Sequence, residues 1–136
     1  MEKFVWTEAL SVGVPMIDIQ HKELIVAIND LADAVDQGKG ANSIKKLLIF
    51  LKYYSEWHFE HEEKCALTHQ CAIASTNQQA HQKFLQIVTD LQEKYRLSED
   101  KESVAIRAYR ELSDWLVSHI MKIDTQIGAC VRQSLN

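Results

Sequence analysis

Four stretches of this chain place a histidine where helical spacing calls for an aliphatic side chain. In the first, Ile17, His21, Leu24, Ile25, Ile28, Leu31, Ala32 and Val35 recur at steps of three and four. In the second, the row Ile44, Leu47, Leu48, Leu51 and Tyr54 runs on into His58 and Glu62. The third carries Ala80, His81, Phe84, Leu85, Val88 and Leu91, and the fourth Val104, Ala108, Leu112, Trp115, Leu116 and His119. Stripes of this length must bury against one another, so each carries its histidine inward. With only 4 Gly and 1 Pro in 136 residues, there is little turn material for a many-stranded sheet. The pattern predicts an all-α protein, an antiparallel up-down four-helix bundle.

Boundaries follow from local chemistry. Residues 1–16 keep no helical period and contain Gly13 and Pro15, so they read as an extended N-terminal arm anchored by Phe4, Val5, Trp6 and Leu10. The first helix is expected to start near Ile17 or Asp18, whose carboxylate suits a helix N-terminus, and to stop at Gly38 and Gly40. The second is expected over about 42–65, followed by a loop (LTHQCAIA). Ser75 with Gln78 three residues on is a capping-box pattern opening the third helix, which ends around Tyr95 and Arg96. Asp124 lies five residues after His119, off the face that a regular helix would give it. Either the fourth helix is distorted there or it ends and lets Asp124 swing back. The whole chain, 1–136, reads as one domain, with the arm at 1–16 and the bundle at 17–131.

Charge and composition exclude several classes. A net charge of -4 gives no basic field for nucleic acid or an anionic membrane. No apolar run is long enough for a transmembrane helix, and no signal peptide is visible, so a cytoplasmic location is expected. Cys65, Cys71 and Cys130 form an odd set without a C-x-x-C pair, most simply three free thiols in a reducing compartment. Cys65 and Cys71 flank the end of the second helix, which leaves redox coupling to a nearby site open.

The histidines carry the chemistry. His58 and Glu62, four apart, share one helix face. A carboxylate in a protein interior is costly unless it is paired or holds a metal. Any single core histidine is ordinarily a hydrogen-bonded packing residue. Four of them, one per helix, joined by Glu62 and Asp124, point to a metal site, because a half-satisfied polar core is expensive. Without thiolates the donor set suits iron, zinc or manganese, and its size suits two ions about 3.5–4 Å apart rather than one. His61 and His69 fall off the stripes and read as a solvated face and a loop.

The order of these residues resembles the hemerythrins, specifically the bacteriohemerythrins. The likeness runs from Trp6, Gly13 and the Ile17-Asp18-Ile19-Gln20-His21 run, through His58-Phe59 with Glu62-Glu63 and His81 with Phe84, to His119-Ile120 and Asp124. The resemblance implies two non-haem iron ions (Fe2+/Fe3+) with a bridging oxo or hydroxo group, and dioxygen as ligand. It assigns His21 and His58 to the iron that keeps a position for dioxygen, His81 and His119 to the other, and Glu62 and Asp124 to both as bridges. The family normally supplies a third histidine one turn before His81. Here that position is Asn77, whose amide is a weak ligand, so the second iron is expected to keep an exchangeable water site. His69 is an alternative substitute from the preceding loop, where the family's Tyr-Pro is replaced by Cys71-Ala72. A dry apolar pocket is expected from Leu24, Ile25, Trp57, Phe84 and Trp115.

Nothing in the sequence offers an organic-substrate site or a placed general base, so an enzyme is not expected. Dioxygen binding serves either an oxygen or redox sensor or a stand-alone storage or carrier protein. Relatives of the sensor kind occur fused to output domains such as diguanylate cyclases or chemoreceptors, which makes a C-terminal signalling domain the implied partner. A vacant histidine position favours faster oxidation and hence sensing. A metal-free interaction bundle is the remaining alternative.

Overall fold

The helices follow the stripes, and their ends follow the capping chemistry. The computed structural model describes residues 2–134. Its helices are α1 (Pro15–Asp36), α2 (Gly40–Thr68), α3 (Ala74–Leu97), α4 (Lys101–His119) and α5 (Thr125–Ser134). A one-turn 3₁₀ segment (Glu8–Leu10) interrupts the arm, and a π-helical turn (Ile120–Asp124) joins α4 to α5. Connections of only a few residues, 37–39, 69–73 and 98–100, return each long helix antiparallel to the one before it. α1 packs on α2 and α4, α3 packs on the same two, and α2 and α4 meet across the diagonal. This is the four-helix bundle that the stripes predict.

Several ends differ from the sequence expectation. α1 begins at Pro15, because proline is preorganised for the first helical turn and loses no needed donor there. Asp18 turns back to the arm instead, accepting from Ser11 Oγ at 2.6 Å and Val12 N at 2.9 Å. α1 closes as expected at Gly38, whose φ of 72° lets Gly38 N and Lys39 N reach the Val35 and Ala34 carbonyls. α2 ends the same way three residues later than expected. Gln70 takes the left-handed position (φ 53°), and Gln70 N and Cys71 N bond the Leu67 and Ala66 carbonyls. The Ser75 capping box does not form. The turn after α2 continues directly into α3 at Ala74, so Ser75 lies inside the helix and Asn77 N finds Ile73 O at 2.9 Å. α4 does start on a side-chain cap, Asp100 Oδ1 accepting from Ser103 N at 3.1 Å.

The arm is tied down along its length. Phe4 N donates to Asn29 Oδ1 at 3.0 Å, and Tyr109 Oη donates to the Glu2 carbonyl at 2.8 Å. Leu10 and Val12 are buried and Phe4 and Trp6 pack against the core, whereas Val5, expected as an anchor, is 69% exposed. Further along, the arm crosses α5 at Gly128, where any side chain would collide with the Val12 carbonyl. Arg132 donates to that same carbonyl.

One core fills the bundle from Leu10 to Ile120, and a second small cluster (Ala66, Cys71, Ile127 and Val131) closes the end where α2 turns and α5 begins. The cysteines lie in this closure. They are not three free thiols: Cys71 and Cys130 form a disulfide between the post-α2 loop and α5, and Cys65 alone is free. The expectation of a reducing compartment loses its cysteine argument, because a disulfide belongs to oxidising surroundings or to redox chemistry. No helix among the described residues is long and apolar enough to cross a membrane.

Candidate metal centre

Helical phase delivers the six polar side chains to one point. His21 comes from α1, His58 and Glu62 from α2, His81 from α3, and His119 from the last turn of α4. All are buried, as is Asp124 at the end of the π turn. The π turn is what admits Asp124. A π turn accommodates one more residue than an α turn, so a residue five positions on returns to the same face. Of the two expectations for this segment, the distorted helix is the one the structure adopts.

The two carboxylates divide their oxygens between two histidine pairs. Glu62 Oε2 faces His58 Nε2 at 3.4 Å and His21 Nε2 at 3.7 Å, while Glu62 Oε1 faces His81 Nε2 at 3.3 Å. Asp124 Oδ2 lies 3.0 Å from His21 Nε2, and Asp124 Oδ1 lies 3.0 Å from His119 Nε2. Two donor groups result, His21–His58–Glu62–Asp124 and Glu62–His81–His119–Asp124. They share both acids.

These contacts fit cations better than they fit hydrogen bonds. Both His21 nitrogens, both Glu62 oxygens and Asp124 Oδ1 are buried without an aligned hydrogen-bond partner. His81 Nε2 and His119 Nε2 face each other at 3.1 Å. Ligand bonds of about 2.1 Å at tetrahedral or octahedral angles put neighbouring donor atoms about 3.0–3.4 Å apart, which matches most of the separations here. Two buried carboxylates also need positive charge nearby. Burial pushes the His21 imidazolium down, but the Asp124 and Glu62 carboxylates outweigh it and raise the pKa to about 9. Burial likewise pushes the Glu62 carboxyl up. Contact with Asp124 and with the imidazoles of His21, His58 and His81 overrides it and holds the group well below the usual carboxylate range. Without metal, a proton on His21 therefore sets positive charge beside the two acids.

Outer contacts orient the rings. Gln20 Oε1 meets His58 Nδ1 at 2.5 Å, and Glu63 Oε2 meets His81 Nδ1 at 3.2 Å. Phe59 stacks on His81 at 3.7 Å, and Trp115 stacks on His119 at 4.4 Å. The sequence reading assigns no such role to Gln20 or Glu63. Gln20 was legible as a polar residue beside the first stripe, while Glu63 is merely the neighbour of Glu62 in sequence. Leu24, Ile25 and Phe84 are buried and Trp115 is half-buried near the cluster. Trp57 is a correction: it is 48% exposed, on the outer face of α2 between Tyr54 and His61, and lines no pocket at the cluster.

His61 is on the exposed face, as expected, and His69 joins neither donor group. Asn77 is wholly buried one turn before His81, and neither of its amide atoms has a partner. An amide left this way costs about 1–3 kcal/mol per group. A surface groove of about 620 Å³, lined among others by Asp90, Leu97, Val104 and Arg107, shares no residue with the cluster.

Fold and site together define a four-helix bundle built around a buried, carboxylate-bridged cation centre. Residues 12–131 match the Hemerythrin HHE cation binding domain. The chain belongs to the hemerythrin family. It is 30% identical over 136 residues to a bacteriohemerythrin of Pseudomonas aeruginosa (strain UCBPP-PA14), covering all of this chain and 86% of that one. It is 32% identical over 132 residues to a bacteriohemerythrin of Methylococcus capsulatus (strain Bath), covering 96% and 98%. Among solved structures, a hemerythrin point mutant superposes with a TM-score of 0.80 at 30% identity, covering 96% of this chain and 98% of that one. A wild-type hemerythrin gives 0.75 at 27% identity, covering 94% and 97%.

Proposed function

We propose that this chain is a di-iron hemerythrin domain that binds dioxygen and serves as an oxygen or redox sensor rather than a carrier. The observation that carries the di-iron reading is the division of Glu62 and Asp124 between two histidine pairs. Each acid offers one oxygen to each pair. Ferrous ions there would supply the electrons for dioxygen binding. The protein's part is to hold two cations at one fixed spacing through Glu62 and Asp124. Gln20 and Glu63 fix the His58 and His81 rings, and Leu24, Ile25 and Phe84 keep bulk water out. Protonation of His21 guards the acids until metal displaces the proton.

Asn77 supports sensing. Each donor group holds two histidines, so the His81 and His119 side is no richer in protein ligands than the His21 and His58 side. A position left to exchangeable water on each ion favours oxidation over many reversible binding cycles. The role is binding rather than turnover, with a signalling output domain such as a diguanylate cyclase as partner and a cytoplasmic setting, in which the Cys71–Cys130 bond would belong to redox chemistry.

The test is iron per folded chain, followed by the fate of the ferrous form in air. Two irons and oxidation without a lasting oxygenated spectrum support the sensor, whereas a long-lived oxygenated spectrum restores the carrier. Asn77→His should tighten iron and slow oxidation. Glu62→Ala should lose most of the iron, and retention of two irons in that variant refutes the bridge.

A further inference from the structure

Asn77 stands one turn before His81 on the buried face of its helix, and it is neither a strong metal ligand nor hydrogen-bonded. It is 0% exposed, and both amide atoms lack a partner. The group it adjoins offers four donors, Glu62, His81, His119 and Asp124. An iron ion held by these four nitrogen and oxygen donors would accept further ligands, which would leave a position open on this side. A carboxamide beside an open position on a cation has a specific use: its Nδ2 hydrogens donate to whatever atom is ligated there.

We infer that the position beside Asn77 is a binding site for a small monodentate anion, ligated through one atom by the second cation and accepting a hydrogen bond from Asn77 Nδ2. The inference rests on the two-iron reading and adds a second ligand site to it. Size is limited by burial: Asn77 is wholly buried, and His81 and His119 are only 2% and 5% exposed. Charge limits the ligand further. Two surface grooves reach these histidines, and both are acidic: Glu56, Glu60 and Glu63 stand against Lys64 in the one at His81, and Glu111 and Asp114 against Lys122 in the one at His119, so an anion meets repulsion on the way in. The neutral conjugate acid would pass, and on ligation its proton would go to the water it displaces and so to solvent. The class this selects is the anions of small weak acids, such as azide, formate or nitrite.

The experiment uses the iron-loaded chain, with iron counted by elemental analysis and azide as the probe, followed by absorbance and by calorimetric stoichiometry. The wild-type chain should bind two azides. Asn77→His should bind one, its imidazole filling the position. Asn77→Leu keeps the size but removes the donor, and should weaken the second azide at least tenfold while leaving the first unchanged. In the metal-free chain, Asn77→Leu should raise the thermal midpoint, since an orphaned amide is replaced by an apolar group of similar volume. Two irons with a single azide in the wild type overturn the inference and leave the two-iron reading intact. Equal binding of both azides by Asn77→Leu also overturns it. Fewer than two irons overturns the two-iron reading, and the inference with it.

Discussion

Opening the Cys71–Cys130 bond should cost the metal-free chain a large share of its stability. The bond closes a loop of 59 residues in sequence separation, running from the turn after α2 through α3 and α4 to α5. On the chain-entropy relation, a loop of this length removes about 14 cal/mol/K from the unfolded ensemble, or about 4 kcal/mol at 25 °C. For a chain of this size each kcal/mol moves the midpoint by about 3–4 °C, so the expected loss is about 12–16 °C. The comparison is oxidised wild type against Cys71→Ala/Cys130→Ala, both metal-free, melted by heat and by guanidinium. The denaturant slope should also rise in the variant, because its unfolded chain is less compact. Thiol titration of the denatured wild type should find one thiol, from Cys65, where three would mean no bond. In the native state that thiol should react slowly, because burial, and then the Glu62 charge, push its pKa up. Equal midpoints and equal slopes for the two proteins would refute the reasoning, since loop closure would then contribute nothing.

Two further predictions come from charge and backbone. His21 must lose its proton to ligate, and in the metal-free chain that proton leaves only near pH 9. Metal affinity should therefore rise with pH up to about 9, by roughly tenfold per unit for one displaced proton; a Co2+ competition against a chelator at pH 6, 7 and 8 measures it, and a flat profile refutes the assignment. Gln70 holds a left-handed backbone position without being glycine. Gln70→Gly should stabilise the chain by about 1 kcal/mol in guanidinium melts, and a loss of stability would show that the Gln70 side chain outweighs its backbone cost.

Much of the site was legible because periodicity and chemistry coincide in it. A histidine inside an aliphatic stripe declares both its helix and its face, so His21, His58, His81 and His119 could be placed without coordinates. Asn77 was legible by the same spacing from His81. Asp124 was half legible. Its five-residue step from His119 excludes a regular helix, but whether the helix stretches or stops depends on what packs beyond it, here Ile127 and Val131. The disulfide was not legible, since pairing Cys71 with Cys130 depends on where α5 returns. Trp57 was misread because it adjoins His58 in sequence, and adjacent residues on a helix point about 100° apart. Ser75 carried a sound capping pattern that lost to its surroundings. The turn before it runs straight into α3, and its Cys71 and Ile73 carbonyls accept from Ala74 N and Asn77 N.

The wide turn at Ile120–Asp124 sets the rotational phase of everything after it. Removing one residue from this turn would restore a regular helix and improve local geometry. It would also swing the remainder of the chain through about 100° and draw it back by about 1.5 Å. Asp124 would leave the histidines, Cys130 would turn from Cys71, and the side of α5 left bare by Gly128 would no longer meet the Val12 carbonyl. One surplus residue thus keeps in step a bridging carboxylate, a covalent cross-link and the seat of the N-terminal arm. The identity of Met121, Lys122 and Ile123 is open to drift in a way that their number is not.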